Sequence, residues 1–101
     1  MSLEDLTNKV REAAKSKDAL GKTIKFDIDG EYLTLDGTGD ANVVTNENSD
    51  ADCTVKVGKE NFGKMLDGSM NPMTAFMTGK IKIEGDMSVA MQLQSLMKKF
   101  S

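Results

Sequence analysis

Histidine is absent from this chain, and with it the side chain that most often serves as a general base near neutral pH. Cysteine occurs once, at Cys53, so no internal disulfide can form and a reducing compartment is expected. Cys53 also falls on the apolar side of an alternating segment, where a buried thiol is usually inert. No apolar run approaches the roughly 20 residues of a membrane-spanning helix. Residues 1–17 lack the uninterrupted apolar core of a signal peptide, and Glu4 and Asp5 are out of place in a mitochondrial presequence. A soluble, intracellular protein is therefore expected. Excess positive charge is missing as well: 29% of the residues are charged but the net charge is −3, which leaves no basic field for nucleic acid.

Motifs for common ligands are also lacking. Gly37 and Gly39 are not followed by a Gly-Lys-Ser/Thr element opening a helix, so they form no phosphate loop. The acidic stretches 27–30 and 46–50 have neither the glycine nor the distal glutamate of an EF-hand and read as solvated turns, with no metal expected. No cofactor is expected, and catalysis finds no support in these residues. At 101 residues the chain is long enough for one core and too short for two, so a single domain over 1–101 is expected.

What the chain does have is methionine. Seven of its eight methionines lie between Met65 and Met97. Methionine is flexible and polarisable, and it suits a pliable apolar site that must accommodate several shapes.

Leu3, Leu6, Val10 and Ala13 recur at helical spacing, which predicts an amphipathic first helix ending near Leu20 and Gly21. Ile24, Phe26 and Ile28 then alternate with charged residues up to Asp29-Gly30, a two-residue hairpin signal. That loop sets Phe26 opposite Leu33 and Ile24 opposite Leu35, all on one face. A third strand is expected over 41–46, buried on both faces because Val43 and Val44 are adjacent. A half-buried strand is expected over 51–57, where Ala51, Cys53, Val55 and Val57 alternate with polar residues.

Phe62, Met65 and Leu66, followed by Gly68, predict a short helix over 60–66. Asn71 reads as an N-cap and Pro72 as the first residue of a second short helix, 72–78, closed by Gly79. Ile81 and Ile83 mark a last strand over 80–84, and Asp86 caps a final helix reaching about Phe100. On that helix Ser88, Gln92, Ser95 and Lys99 make a polar stripe, opposite an apolar arc around Ala90, Leu93, Met97 and Phe100. Gln94 is the misfit, because its spacing from Met87, Ala90 and Met91 turns it toward the methionine side. A buried amide there needs a partner, since leaving it unpaired costs roughly 1–3 kcal/mol.

The segment Asn71-Pro72-Met73, Ala75-Phe76-Met77, Gly79-Lys80-Ile81-Lys82-Ile83 and Gly85-Asp86-Met87, continued by Ala90-Met91, Leu93-Gln94 and Leu96, resembles the sterol carrier protein 2 domain. The resemblance implies an α+β fold: a five-stranded mixed sheet covered on one face by helices, enclosing an apolar tunnel. It further implies a non-enzymatic, intracellular carrier of long-chain fatty acids, fatty acyl-CoA, sterols or phospholipids between membranes or to enzymes. A lipid-presenting scaffold of a lipid or isoprenoid biosynthetic complex is the alternative. The position matching Gln94 faces the tunnel in members of that family. With the methionine periodicity, this makes Phe62, Met65, Leu66, Met73, Phe76, Met77, Ile83, Met87, Ala90, Met91, Gln94 and Met97 the expected lipid-binding residues. The chain is short for that family, and it ends Lys98-Lys99-Phe100-Ser101, without the Ser-Lys-Leu peroxisomal signal. The cytoplasm is accordingly the expected compartment, with the peroxisome as the alternative. The expected partners are lipids and, transiently, an anionic membrane touched by the basic residues of the first helix with Lys80, Lys82, Lys98 and Lys99. A monomer is expected.

Overall fold

Ile24, Phe26 and Ile28 project from one side of a central strand, β1 (Thr23–Ile28), and are completely buried. The computed structural model describes residues 2–15 and 19–97, the segment 93–97 for its backbone alone. β1 turns into β2 (Glu31–Asp36) through Asp29 and Gly30, whose φ values of 53° and 88° are the pair that a type I′ hairpin turn requires. The register is the expected one, with Phe26 opposite Leu33 and Ile24 opposite Leu35.

β3 (Val43–Thr45) pairs antiparallel with β2 at one edge of the sheet. β4 (Cys53–Val57) runs parallel to β1 on its other side, and β5 (Lys82–Gly85) closes the far edge antiparallel to β4. The order is β3-β2-β1-β4-β5, a mixed five-stranded sheet. Directly opposed residues share a face, so Leu35, Ile24 and Cys53 form one apolar row, and Leu33, Phe26, Val55 and Ile83 a second. The opposite face carries Thr34, Lys25, Thr54 and Glu84. One prediction fails here. The third strand is not buried on both faces: Val44 joins the core, whereas Val43 is 56% exposed, because the strand lies at the sheet edge and its outer face meets solvent.

The connection 46–52 returns from β3 to β4 across the polar face. It is pinned where Thr34 Oγ1 donates to the Glu47 carbonyl at 2.7 Å and where Lys25 Nζ donates to Asn48 Oδ1 at 2.8 Å. This strap buries Thr34 on a face that is otherwise wet.

The helices lie against the apolar face. α1 (Leu3–Lys15) inserts Leu6, Val10, Ala13 and Ala14 into the core, and Arg11 Nη2 donates to the Val44 carbonyl at 3.1 Å, tying the helix to β3. It was expected to run on to about Leu20, but Ala19 and Leu20 lie outside any helix. There the Leu20 N–H donates to Asn42 Oδ1 at 2.8 Å. A side-chain partner has replaced the helical carbonyl.

α2 (Lys59–Leu66) ends in a Schellman motif at Gly68, φ 85°, with the Ser69 N–H donating to the Lys64 carbonyl at 2.9 Å. α3 (Pro72–Met77) opens on Asn71, whose Oδ1 accepts from the N–H groups of Met73 and Thr74, and closes at Gly79 in the same manner as α2. α4 (Met87–Met97) opens on Asp86, whose Oδ1 accepts from the Ser88 N–H at 2.9 Å. Phe100 and the two lysines before it lie outside the described residues.

Candidate functional site

The helical wall opposite the sheet is built by α2, α3 and α4, and its apolar residues grade from the core outward. Phe62, Met65 and Leu66 of α2 are fully buried, and the Phe62 ring packs on Phe26 with centroids 4.9 Å apart at 48°. That tilted geometry suits two aromatic quadrupoles and fixes α2 over the middle of the sheet. Ala90 of α4 is buried with them.

Met73 and Phe76 of α3 and Ile83 of β5 form an intermediate layer, half-buried, with Phe76 and Ile83 packed against the core. Outermost are Met87 at 44%, Met91 at 65% and Met77 at 82% exposure. Helical geometry explains the split. Met87 and Met91 are four residues apart on one flank of α4, while Val89 and Ala90 take the face turned to the sheet. The side chains of Gln94 and Met97 lie outside the described residues.

Ala75 and Val89 of this wall, and Ile81 just before β5, are buried and went unrecognised as site candidates. Val89 stands four residues before Leu93 and so belonged to the apolar arc already visible in the sequence. Ala75 had no such signal. Its small side chain lets α3 lie close to its neighbours, and α3 packs beside α4.

The charged chemistry lies elsewhere. A cleft of about 310 Å³ opens between the end of β4 and the turn from α3 into β5, lined by Asp27, Asp29, Lys56, Lys80 and Lys82 over a floor of Val57 and Ile81. A second one of about 550 Å³ lies along α2 at Lys59, Glu60, Gly63, Lys64 and Asp67. Among the described residues no group of three or more Cys, Asp or Glu is placed to hold a metal ion. Cys53 is 1% exposed, and its thiol is pushed above the ordinary range, first by burial and then by the negative charges of Asp86 and Asp52. Such a thiol is a poor nucleophile. The carboxyl of Asp86 is held below the usual carboxylate range, chiefly by its hydrogen bonds from the Ser88 hydroxyl and N–H. No helix among the described residues is long and apolar enough to cross a membrane.

Comparison with known proteins matches this architecture. Human sterol carrier protein 2 is 43% identical over 58 residues, which cover 57% of this chain and 11% of the human protein. Bovine hydroxysteroid dehydrogenase-like protein 2 is 36% identical over 83 residues, covering 76% of this chain and 20% of that one. This chain thus spans only a small part of the curated relatives it matches. Among solved structures, the solution structure of sterol carrier protein 2 from Aedes aegypti in complex with palmitate superposes with a TM-score of 0.76 at 17% identity, covering 100% of both chains. The family model describing SCP-2 sterol transfer proteins matches residues 2–98, the apolar sheet face and the graded helical wall together, and on that match the chain belongs to the SCP-2 sterol transfer family.

Proposed function

We propose that this chain is a non-catalytic carrier that takes a long-chain fatty acid, fatty acyl-CoA, sterol or phospholipid into an apolar tunnel between the helical wall and the sheet. Family membership over residues 2–98 is the observation that carries the reading. The Aedes aegypti neighbour, solved with palmitate, supplies the ligand class by analogy. The physics is partition. Each methylene removed from water contributes roughly 0.8 kcal/mol, so a long acyl chain offsets the entropy of binding even in an imperfectly filled tunnel.

The graded wall suits that task. Phe62, Met65, Leu66 and Ala90 supply a fixed inner surface, whereas Met73, Phe76 and Ile83 are only half-buried and keep freedom to repack around different ligands. Met77, Met87 and Met91 stand at its exposed rim, and Gln94 and Met97 follow on α4 as further ligand contacts. Tight headgroup recognition is not required, and broad selectivity follows. The protein would act inside the cell as a monomer, in transient contact with anionic membrane during exchange.

The test is direct binding of a fluorescent long-chain fatty acid to delipidated protein, followed by transfer between vesicles. Saturable binding at micromolar concentration, with other long-chain acids competing at similar strength, is expected. Absence of binding overturns the carrier reading. Binding without transfer, together with a stable protein partner on pull-down, would replace it with the lipid-presenting scaffold.

A further inference from the structure

We propose that Met77, Met87 and Met91 form an oxidation site at the mouth of the lipid-binding tunnel, where hydrogen peroxide converts their thioethers to sulfoxides and so turns apolar ligands away. The inference rests on the carrier reading and says how uptake is switched. Two independent observations converge on these residues. The first is access. Met77 at the end of α3 and Met87 and Met91 on one flank of α4, which packs beside it, are exposed, whereas Met65 of α2 is fully buried and Met70 and Met73 are half-buried.

The second observation is the scarcity of competing targets. The chain has neither tryptophan nor histidine, and its one cysteine is Cys53. That thiol is buried and held in its protonated form by burial and by the charges of Asp86 and Asp52, so little reactive thiolate is available. A two-electron oxidant arriving at this surface therefore meets the rim methionines first.

The step needs no reagent besides the peroxide. A sulfur lone pair attacks one oxygen of hydrogen peroxide, the O–O bond breaks as the S–O bond forms, and the other oxygen takes up the proton and leaves as water. The sulfur loses two electrons and the peroxide gains them. A thiol-dependent methionine sulfoxide reductase reverses the change.

The consequence follows from polarity. A thioether lies comfortably against an acyl chain, whereas a sulfoxide carries a strong dipole whose oxygen must stay hydrated. A ligand passing the rim would strip that water and offer no donor in its place. The fold itself is spared. Asp86 holds the start of α4 through its bonds from the Ser88 N–H and hydroxyl, and at the end of α3 Thr78 Oγ1 donates to the Thr74 carbonyl at 2.9 Å. None of these bonds uses a methionine side chain, and Ala75, Val89 and Ala90 keep both helices on the core. Oxidation thus changes what the rim accepts and leaves the wall in place.

The test is exposure of the intact, delipidated chain to hydrogen peroxide, followed by peptide mass spectrometry and titration with a fluorescent long-chain fatty acid. Met77, Met87 and Met91 are expected to gain oxygen before Met65 does. Fatty-acid affinity falls about fivefold while the melting temperature stays within a few degrees. Methionine sulfoxide reductases acting on both sulfoxide epimers restore it. The combined variant Met77→Leu, Met87→Leu, Met91→Leu, whatever its own affinity, binds equally before and after peroxide. Oxidation of Met65 as fast as Met77, unchanged affinity of the oxidised chain, or a collapse of its melting temperature overturns the site. So does a loss that persists in the leucine variant or after the reductases. Absence of fatty-acid binding by the unoxidised chain overturns the carrier reading instead, while the order of oxidation, which needs no ligand, is scored separately.

Discussion

The carboxylate of Asp29, in the turn between β1 and β2, accepts a hydrogen bond at 2.9 Å from the backbone N–H of Lys59, the first residue of α2. The helix has Gly58 at its own N-cap and no side-chain cap of its own. A hairpin turn distant in sequence thus satisfies a donor that the helix cannot. The Lys59 ammonium then reaches back to Glu31 at 2.9 Å, so two contacts join the same pair of elements. Because Asp29 also holds a φ of 53°, its substitutions separate into two effects. Asp29→Asn keeps an acceptor and tolerates the backbone, and should change stability by less than about 0.5 kcal/mol. Asp29→Ala loses the cap and gains strain, at a cost of about 2 kcal/mol by denaturant titration.

Gly85 ends β5 with a φ of 100°, opposite Cys53. A Cβ on it would collide with the carbonyl oxygen of Asp52, the same oxygen that accepts from the Asp86 N–H at 2.8 Å. Gly85→Ala must therefore part β5 from β4 and disturb the start of α4. A loss of about 3 kcal/mol is expected from thermal unfolding, against little change for alanine at exposed Gly39.

The methionines should divide by depth. Met65 is fully buried and Met77 is not. Met65→Ala should cost about 3 kcal/mol, whereas Met77→Ala should cost less than about 0.5 kcal/mol. Equal losses in parallel denaturant titrations would mean that α3 folds back over Met77 in solution.

Cys53 gives a pH dependence. Burial raises its thiol above the ordinary range, so the folded state holds the proton more tightly than the unfolded one. That contribution is fully present below about pH 8.5, the unfolded value, and is lost as pH rises toward the folded one. Stability should fall on the alkaline side, and Cys53→Ala should flatten the decline. A thiol reagent at pH 8 should react slowly with native protein and fully after unfolding.

Gln94 carries the one polar contact proposed for the ligand. Gln94→Leu should alter the order of preference among fatty acids, acyl-CoA and sterols while leaving the melting temperature within a few degrees. Unchanged binding with a large fall in melting temperature would give the amide a structural task.

Local chemistry was legible in the sequence where it is self-contained. Asp29-Gly30 set the hairpin register residue by residue, and Asn71-Pro72 marked the start of α3. The resemblance over 71–96 carried the family and, through it, the five-stranded sheet. Pattern failed at Val43 and Val44, because three residues are too few to display their alternation in the sequence, and which of the two valines meets solvent depends on partners far along the chain. The trans-cap from Asp29 to Lys59 was invisible for the same reason. Methionine richness signalled an apolar wall, but Met73 and Met77 share one helical stripe and differ in exposure, so packing against neighbouring elements decides which of them meets water.

The central strand also dictates an order of assembly. β1 joins β2 through a two-residue turn, a pairing that closes within microseconds, but its other edge must wait for β4, since Ile24 pairs with Cys53. During that interval Ile24, Phe26 and Ile28 lie on a strand with one edge unpaired. A slow folder or a destabilised variant would therefore misassociate through the middle of its finished sheet. The strands at its rims are short, and β5 carries a lysine and a glutamate against such pairing. Aggregation would thus begin from the element that becomes the most deeply protected once β4 has arrived.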